Sequence, residues 1–232
     1  MRGDRPGSRG GHNRLMSSLA LFDLDNTLVD RQAAFLGWAR RFVADRGLDN
    51  RAVDFLCELD DDGSAPRERV FDAARTRYDL LESTATLIAE YRASYPAFFE
   101  PDRAVNEALD LLRAQGWLTG VVTNGPPSQL EKLVRAGLIE RIDGYCISDE
   151  FGVAKPDRRI FEETVDRCMK PGTAPATVWM VGDSPMADIA GGRGAGLRTI
   201  WLHRGRNWEP SGYRPDAVAD DIRDAVEHIV AR

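Results

Sequence analysis

Leu19-Ala20-Leu21-Phe22-Asp23-Leu24-Asp25-Asn26-Thr27-Leu28 decides the fold of this chain: a short apolar run ending in two carboxylates one residue apart. Consecutive apolar residues bounded by polar ones read as a strand buried on both faces, which is the habit of a parallel sheet. Side chains alternate along an extended chain, so Asp23 and Asp25 share a face and repel one another unless something neutralises them. A hard divalent cation is the simplest remedy. Magnesium takes one or two carboxylates, keeps several waters and leaves positions open for a phosphate oxygen, so the motif points to phosphate chemistry.

Further apolar runs at Leu118 to Val122, Gly144 to Ile147, Val178 to Val181 and Thr199 to Leu202 read as strands. Helical patterns stand near Asp102 to Gln115, Ser128 to Ala136, Arg158 to Cys168, Met186 to Arg193 and Asp221 to Val230. Such alternation predicts an α/β fold with a Rossmann-like three-layer core built on a parallel sheet. Ser128-Gln129-Leu130-Glu131 reads as a capping box, and Pro185 suits a first helical turn. The run Gly191 to Gly196 follows a helix and precedes a strand, the reverse of a phosphate-binding loop, so it reads as a helix stop and turn.

Roughly seventy residues, Arg31 to Glu100, separate the first two strands where one crossover helix would suffice. Phe35, Trp38 and Phe42, then Val53 and Leu56, then Val70, Phe71 and Ala74, then Leu87, Ile88 and Tyr91 follow helical spacing. About four amphipathic helices are expected, forming a small α-helical cap over residues 31–100, inserted after the first strand and cored by Trp38 and the tyrosines. Residues 17–30 and 101–232 then form the core, and residues 1–16, rich in Gly and Arg, a disordered leader. Asp30, at the junction, reads as a helix cap or hinge contact. Asp60, Asp62 and Gly63 have calcium-loop spacing, but Arg69 stands where a bidentate glutamate is needed, so an acidic turn between helices is expected there.

The formal charge of −6 speaks against a nucleic acid polymer as partner and fits a small metabolite. Cys57, Cys146 and Cys168 are odd in number and sit in apolar sequence, which reads as buried thiols in a reducing compartment. No apolar run approaches the ~20 residues of a membrane span, and the leader lacks a signal-peptide core, so a cytoplasmic protein with no membrane partner is expected. Oligomeric state has no signature in the sequence.

Each predicted strand runs into a polar cluster: Asp23 and Asp25 after the first, Thr123-Asn124-Gly125 after the second, Lys155-Pro156 shortly after the third and Gly182-Asp183-Ser184 after the fourth. In a parallel sheet these carboxyl ends share one rim, where open α/β folds bind ligands. Singly, a strand-end Asp caps a helix, Thr-Asn-Gly makes a turn and a Lys is solvated; together they specify a site.

With these four clusters in order, residues 17 to 232 resemble the haloacid dehalogenase superfamily, whose hallmarks are a first-strand Asp-x-Asp-x-Thr, a second-strand Ser or Thr, a later Lys and an acidic Gly-Asp motif. The resemblance implies that Asp23 is a nucleophile forming an aspartyl phosphate and Asp25 a general acid and base, a role that asks for a pKa lifted into a usable range. It implies magnesium held by the Asp23 carboxylate, the Asp25 backbone carbonyl and Asp183, with Asp188 behind, orienting a bound water or pairing with Lys155. Thr123 and the backbone amides around Asn124 would hold phosphoryl oxygens, and Lys155 would balance negative charge.

The implied function is magnesium-dependent hydrolysis of a phosphomonoester on a small soluble metabolite. Asp25 separates the chain from the dehalogenase branch, which lacks that second acid. A phosphomutase of the same family keeps both acids and stays open, as does a phosphoaccepting signalling module, against which the long insert argues. Of 31 basic residues only Lys132, Lys155 and Lys170 are lysines, which favours a functional Lys155; Lys132 and Lys170 are assigned to solvated helices. Arg67 and Arg69 are candidate substrate contacts, and Trp201 to Trp208 is expected to be a packed loop with solvated arginines.

Overall fold

The computed structural model describes residues 17–231; the expected leader lies outside them. Strand β1 (Ser17–Phe22) is followed by four helices, α1 (Arg31–Asp45), α2 (Arg51–Asp60), α3 (Arg67–Tyr78) and α4 (Thr84–Ser94). Then come α5 (Arg103–Ala114), β2 (Leu118–Thr123), α6 (Gln129–Arg135), β3 (Gly144–Ile147), α7 (Ser148–Phe151), α8 (Arg158–Cys168) and β4 (Pro175–Gly182). A π-helical turn, Pro185–Ala190, leads into α9 (Gly191–Gly194), β5 (Arg198–Leu202), β6 (Ala217–Ala219) and α10 (Ile222–Val230). Helix starts follow local chemistry: the carboxylates of Asp30, Asp102, Asp157 and Asp221 each accept first-turn amide hydrogens that no helical carbonyl reaches.

Among the described residues all six strands are parallel, in the order β3-β2-β1-β4-β5-β6. Succession runs outward from β1 on one side and from β4 on the other, so a crevice opens between their carboxyl ends. Alternation along β1 separates the two faces: Ala20 and Phe22 pack with α5 and α10 residues such as Leu109 and Val226, whereas Leu19 and Leu21 pack with Ile160 and Phe161 of α8. This is a three-layer α/β fold. The edge strand β6 escapes sequence patterning because three residues are too few to show a period, and the helix expected from Met186 to Arg193 is instead a π turn running into α9.

Among α1 to α4, Trp38 is 3% exposed and its ring meets those of Phe35, Phe42, Phe71 and Tyr91, with centroids 4.9 to 5.7 Å apart. Leu24, Leu28 and Val29 carry apolar contact from the sheet face into these helices. Asp30 caps α1 by accepting the Ala33 amide hydrogen at 2.9 Å. Cys146 and Cys168 are buried, Cys57 only partly, and all three are free thiols. No helix among the described residues is long and apolar enough to cross a membrane.

The turn after α2 is tied inward. Asp60, 2% exposed, accepts two hydrogen bonds from the Arg31 guanidinium at 2.6 and 2.9 Å, pairs with Arg67 at 2.6 Å and accepts the Gly63 amide at 2.9 Å. Arg67 is thereby engaged within the helices, not offered to a substrate. Burial pushes the Asp60 carboxyl up, but the two guanidiniums outweigh it and hold the pKa below the ordinary value. Asp60→Asn should therefore lower stability by about 3–5 kcal/mol, because two guanidiniums lose their buried counter-charge. Chemical denaturation would measure it, and a change under about 1 kcal/mol would mean the pair is effectively solvated. The depressed pKa means the pair's contribution is complete above the unfolded carboxylate pKa and disappears as pH falls through the folded one, so the acid limb of the stability profile should flatten in the variant.

Candidate active site

Strand register sets the height of each side chain at the rim. Phe22 lies level with Val121 of β2 and Val181 of β4, and the Asp23 amide extends the ladder to the Val181 carbonyl at 2.9 Å. Asp23, Thr123 at the end of β2 and Asp183 just past β4 thus emerge together. Gly182 is required beside them, since a Cβ there would overlap the Asp188 carboxylate.

Lys155 is the centre of the cluster. Its ammonium, with a side chain 2% exposed, donates to Asp23 Oδ1 at 2.6 Å, to Asp188 Oδ1 at 2.7 Å and to the Val122 carbonyl at 2.9 Å, so all three hydrogens are engaged. Asp188, fully buried, also accepts the Ser184 amide at 2.9 Å. Burial would lower the Lys155 pKa, yet the Asp188 and Asp23 charges raise it. Asp23 is pushed up to about 7 by burial and by the Asp188 charge, against the pull of Lys155.

Asp23, Asp183 and Asp188 each offer an oxygen within 4.8 Å of the others. Burial and the nearby Asp23 charge push Asp183 up to about 6 despite Arg206 and Arg204. Three acidic groups this close, each with its pKa raised, are a donor set short of positive charge, and a hard divalent cation fits it. Arg204 and Arg206, expected in solvent, supply part of that charge: both donate to Asp183 Oδ2, at 3.2 and 3.0 Å. Arg204 also reaches Asp62 at 2.8 Å, and Asp62 accepts from Asn26 at 3.0 Å, so the turn after α2 touches the rim. A cavity of about 340 Å³ lies beside Asn26, Thr27 and Arg204 but is not lined by Asp23 or Lys155.

Asp25 departs from expectation. Its carboxylate lies outside the acidic cluster and is neutralised by Lys132, at 2.7 and 2.8 Å, with Gln129 donating at 2.9 Å. Lys132 is therefore buried, not solvated, whereas Lys170 is exposed. The pKa moves opposite to the expected lift: burial raises it, but Lys132 and the Gln129 hydrogen bond bring it below the ordinary value. Nor does Ser128 cap α6, because its backbone is already helical and its hydroxyl makes no cap bond, leaving Gln129 turned to the rim. The Asn124 side chain is engaged with the Lys155 backbone, donating to its carbonyl at 3.0 Å and accepting its amide at 2.8 Å.

Sequence reasoning passed over Gln129, Lys132, Asp62, Arg204 and Arg206. One signal was present: the scarcity of lysine, applied to Lys155, applies equally to Lys132. The arrangement as a whole combines a buried carboxylate against an ammonium, a hydroxyl on the neighbouring strand end, an acidic donor set and a separate carboxylate held apart, which is equipment for phosphoryl or acyl-type transfer to Asp23.

Known proteins resemble this chain. A phosphoserine phosphatase from Thermus thermophilus is 37% identical over 163 residues, covering 68% of this chain and 63% of the relative, so the chain spans just under two thirds of that protein. A phosphoglycolate phosphatase from Agrobacterium fabrum is 32% identical over 219 residues, covering 90% of this chain and 91% of the relative. The crystal structure of the HAD-hydrolase YfnB from Bacillus subtilis, bound to magnesium, has the same fold, with a TM-score of 0.74 at 24% identity over 94% of this chain and all of that one. The model of the haloacid dehalogenase-like hydrolases matches residues 18–196, and this chain belongs to that family.

Proposed function

We propose that the chain hydrolyses a phosphomonoester of a small soluble metabolite in the cytoplasm, through an aspartyl phosphate on Asp23. The observation that carries the reading is Asp23 itself: a buried strand-end carboxylate 2.6 Å from Lys155, on the same rim as Thr123 and grouped with Asp183. The relatives named phosphatases support the choice of a phosphate ester.

Asp23 attacks phosphorus while Lys155 holds its second oxygen and offsets the charge gathering on the phosphoryl group. Thr123 and the Asn124 backbone N–H bind phosphoryl oxygens. Asp25 delivers a proton to the leaving alkoxide and later takes one from the hydrolytic water, a task Asp23 cannot share because it is esterified. Magnesium would be held by Asp23, Asp183 and the Asp25 backbone carbonyl, and when bound supplies positive charge to the phosphoryl oxygens. Asp188 pairs with Lys155 from behind and accepts the Ser184 amide. Residues 31–100 act as a cap on a core of residues 17–30 and 101–232, excluding water and shaping the space for the leaving group.

A magnesium-supplemented panel of metabolite monoesters, ranked by kcat/KM, tests the reading. At least one ester should be turned over. Absence of phosphate release, together with a stable phosphoryl group after exposure to acetyl phosphate, would make the chain a phosphoacceptor instead. Asp23→Asn should abolish turnover in a folded protein, whereas Asp25→Asn should slow turnover about 10²–10⁴-fold and let phosphoenzyme accumulate. Unchanged activity in the first, or rapid phosphoenzyme hydrolysis in the second, would remove the assigned role. Titration calorimetry should find magnesium binding weakened at least tenfold, about 1.4 kcal/mol, in Asp183→Asn; equal affinity would exclude Asp183 as a ligand.

A further inference from the structure

Helix α6 carries two buried polar side chains that the proposed mechanism does not use. Gln129 is 2% exposed and Lys132 6%, and three positions apart they share one face of the helix. Lys132 Nζ donates to Asp25 Oδ1 at 2.7 Å and Oδ2 at 2.8 Å, and Gln129 Nε2 donates to Asp25 Oδ2 at 2.9 Å and to Thr123 Oγ1 at 2.8 Å. A carboxylate only accepts, so the group of Gln129 that faces it is the amide nitrogen. That assignment passes direction on to Thr123: its oxygen accepts from Gln129, and its own hydrogen must point elsewhere. The Asn124 carbonyl, at 3.5 Å, is a poor acceptor for it, so the Thr123 hydroxyl is left to donate into the site.

Lys132 is also held from behind. Its ammonium lies 4.9 Å from the Phe99 ring centre and 5.5 Å from that of Tyr95, where the chain returns from the four inserted helices to the core. An ammonium fixed between a carboxylate and two aromatic faces has little freedom to swing, and it limits the Asp25 side chain in turn.

We infer that Gln129 and Lys132 are the positioning residues of the reaction: Lys132 fixes where the Asp25 carboxyl stands, and Gln129 ties that place to the hydroxyl that grips the phosphoryl group. The inference rests on the phosphatase reading above. In the first step the Asp23–phosphorus bond forms, the ester phosphorus–oxygen bond breaks and the Asp25 proton goes to the departing oxygen. In the second, water oxygen bonds phosphorus, the Asp23–phosphorus bond breaks and Asp25 takes the water proton. Lys132 and Gln129 neither gain nor lose a proton; they set the distance over which it moves.

Graded leaving groups separate this role from a structural one. The full chain with magnesium is assayed on dinitrophenyl, nitrophenyl and phenyl phosphates, of which the first needs no proton to depart. Lys132→Met should lose about a hundredfold or more in kcat on phenyl phosphate but less than about tenfold on dinitrophenyl phosphate, and Lys132→Arg should recover part of the loss. Gln129→Leu should show the same gradient with a raised KM, since Thr123 loses its fixed direction. Equal losses across the three esters, or none, would overturn the inference; should thermal melting show Lys132→Met unfolded, Gln129→Leu decides by the same criteria. Asp25→Asn marks the other failure: if it shows no gradient, the acid/base reading falls and takes this inference with it, whereas a gradient there and none in the α6 variants removes the inference alone.

Discussion

The buried ammonium of Lys155 is the interaction on which the rest of the structure depends. Two carboxylates with almost no access to water, Asp23 and Asp188, would each carry a desolvation penalty of several kcal/mol. One cation between them offsets both, and its third hydrogen goes to a backbone carbonyl of β2. The three groups come from the end of β1, the loop before α8 and the π turn after β4, so a single charge joins the ends of separate strands. Close packing at Gly182 and the tether of Asn124 on the Lys155 backbone serve the same end.

The negative charge left at the rim explains the arginines. Asp183 stands beside Asp23 without a lysine of its own, and Arg204 and Arg206 fold onto it from the loop after β5. Arg204 does so with a backbone in the left-handed region, φ +48°, a conformation that non-glycine residues adopt at some cost. The same guanidinium also reaches Asp62, so one side chain joins Asp183 to the turn after α2.

How much of this was legible follows from the range of each interaction. Strands buried on both faces write themselves as apolar runs, and the turns that end them collect polar residues, so the parallel sheet and the positions of Asp23, Thr123, Lys155 and Asp183 could be read locally. Partners could not. Arg204 finds Asp62 across 142 positions and Lys132 finds Asp25 across 107, separations at which sequence spacing carries no information. At Ser128-Gln129-Leu130-Glu131 a local pattern misled, because a capping box and a site-facing glutamine share the same letters, and the chain already turns at Pro126 and Pro127, whose carbonyls accept the Gln129 and Leu130 amides. Composition could have corrected this, for in an arginine-rich chain a lysine marks a place where a compact charge fits and a planar fork does not.

The unexpected state of Asp25 bears most directly on mechanism. A carboxyl meant to donate a proton is held here by an ammonium and an amide, both of which favour its ionised form. In the proposed reaction the substrate reverses this balance. A phosphate dianion arriving beside Thr123 adds negative charge close to Asp25, which raises its affinity for a proton. Once the alkoxide has left with its proton, Asp25 is again a base held by Lys132, which is the form the second step requires. In the proposed reaction the residues that favour the ionised form of Asp25 at rest are thus also those that orient it for hydrolysis.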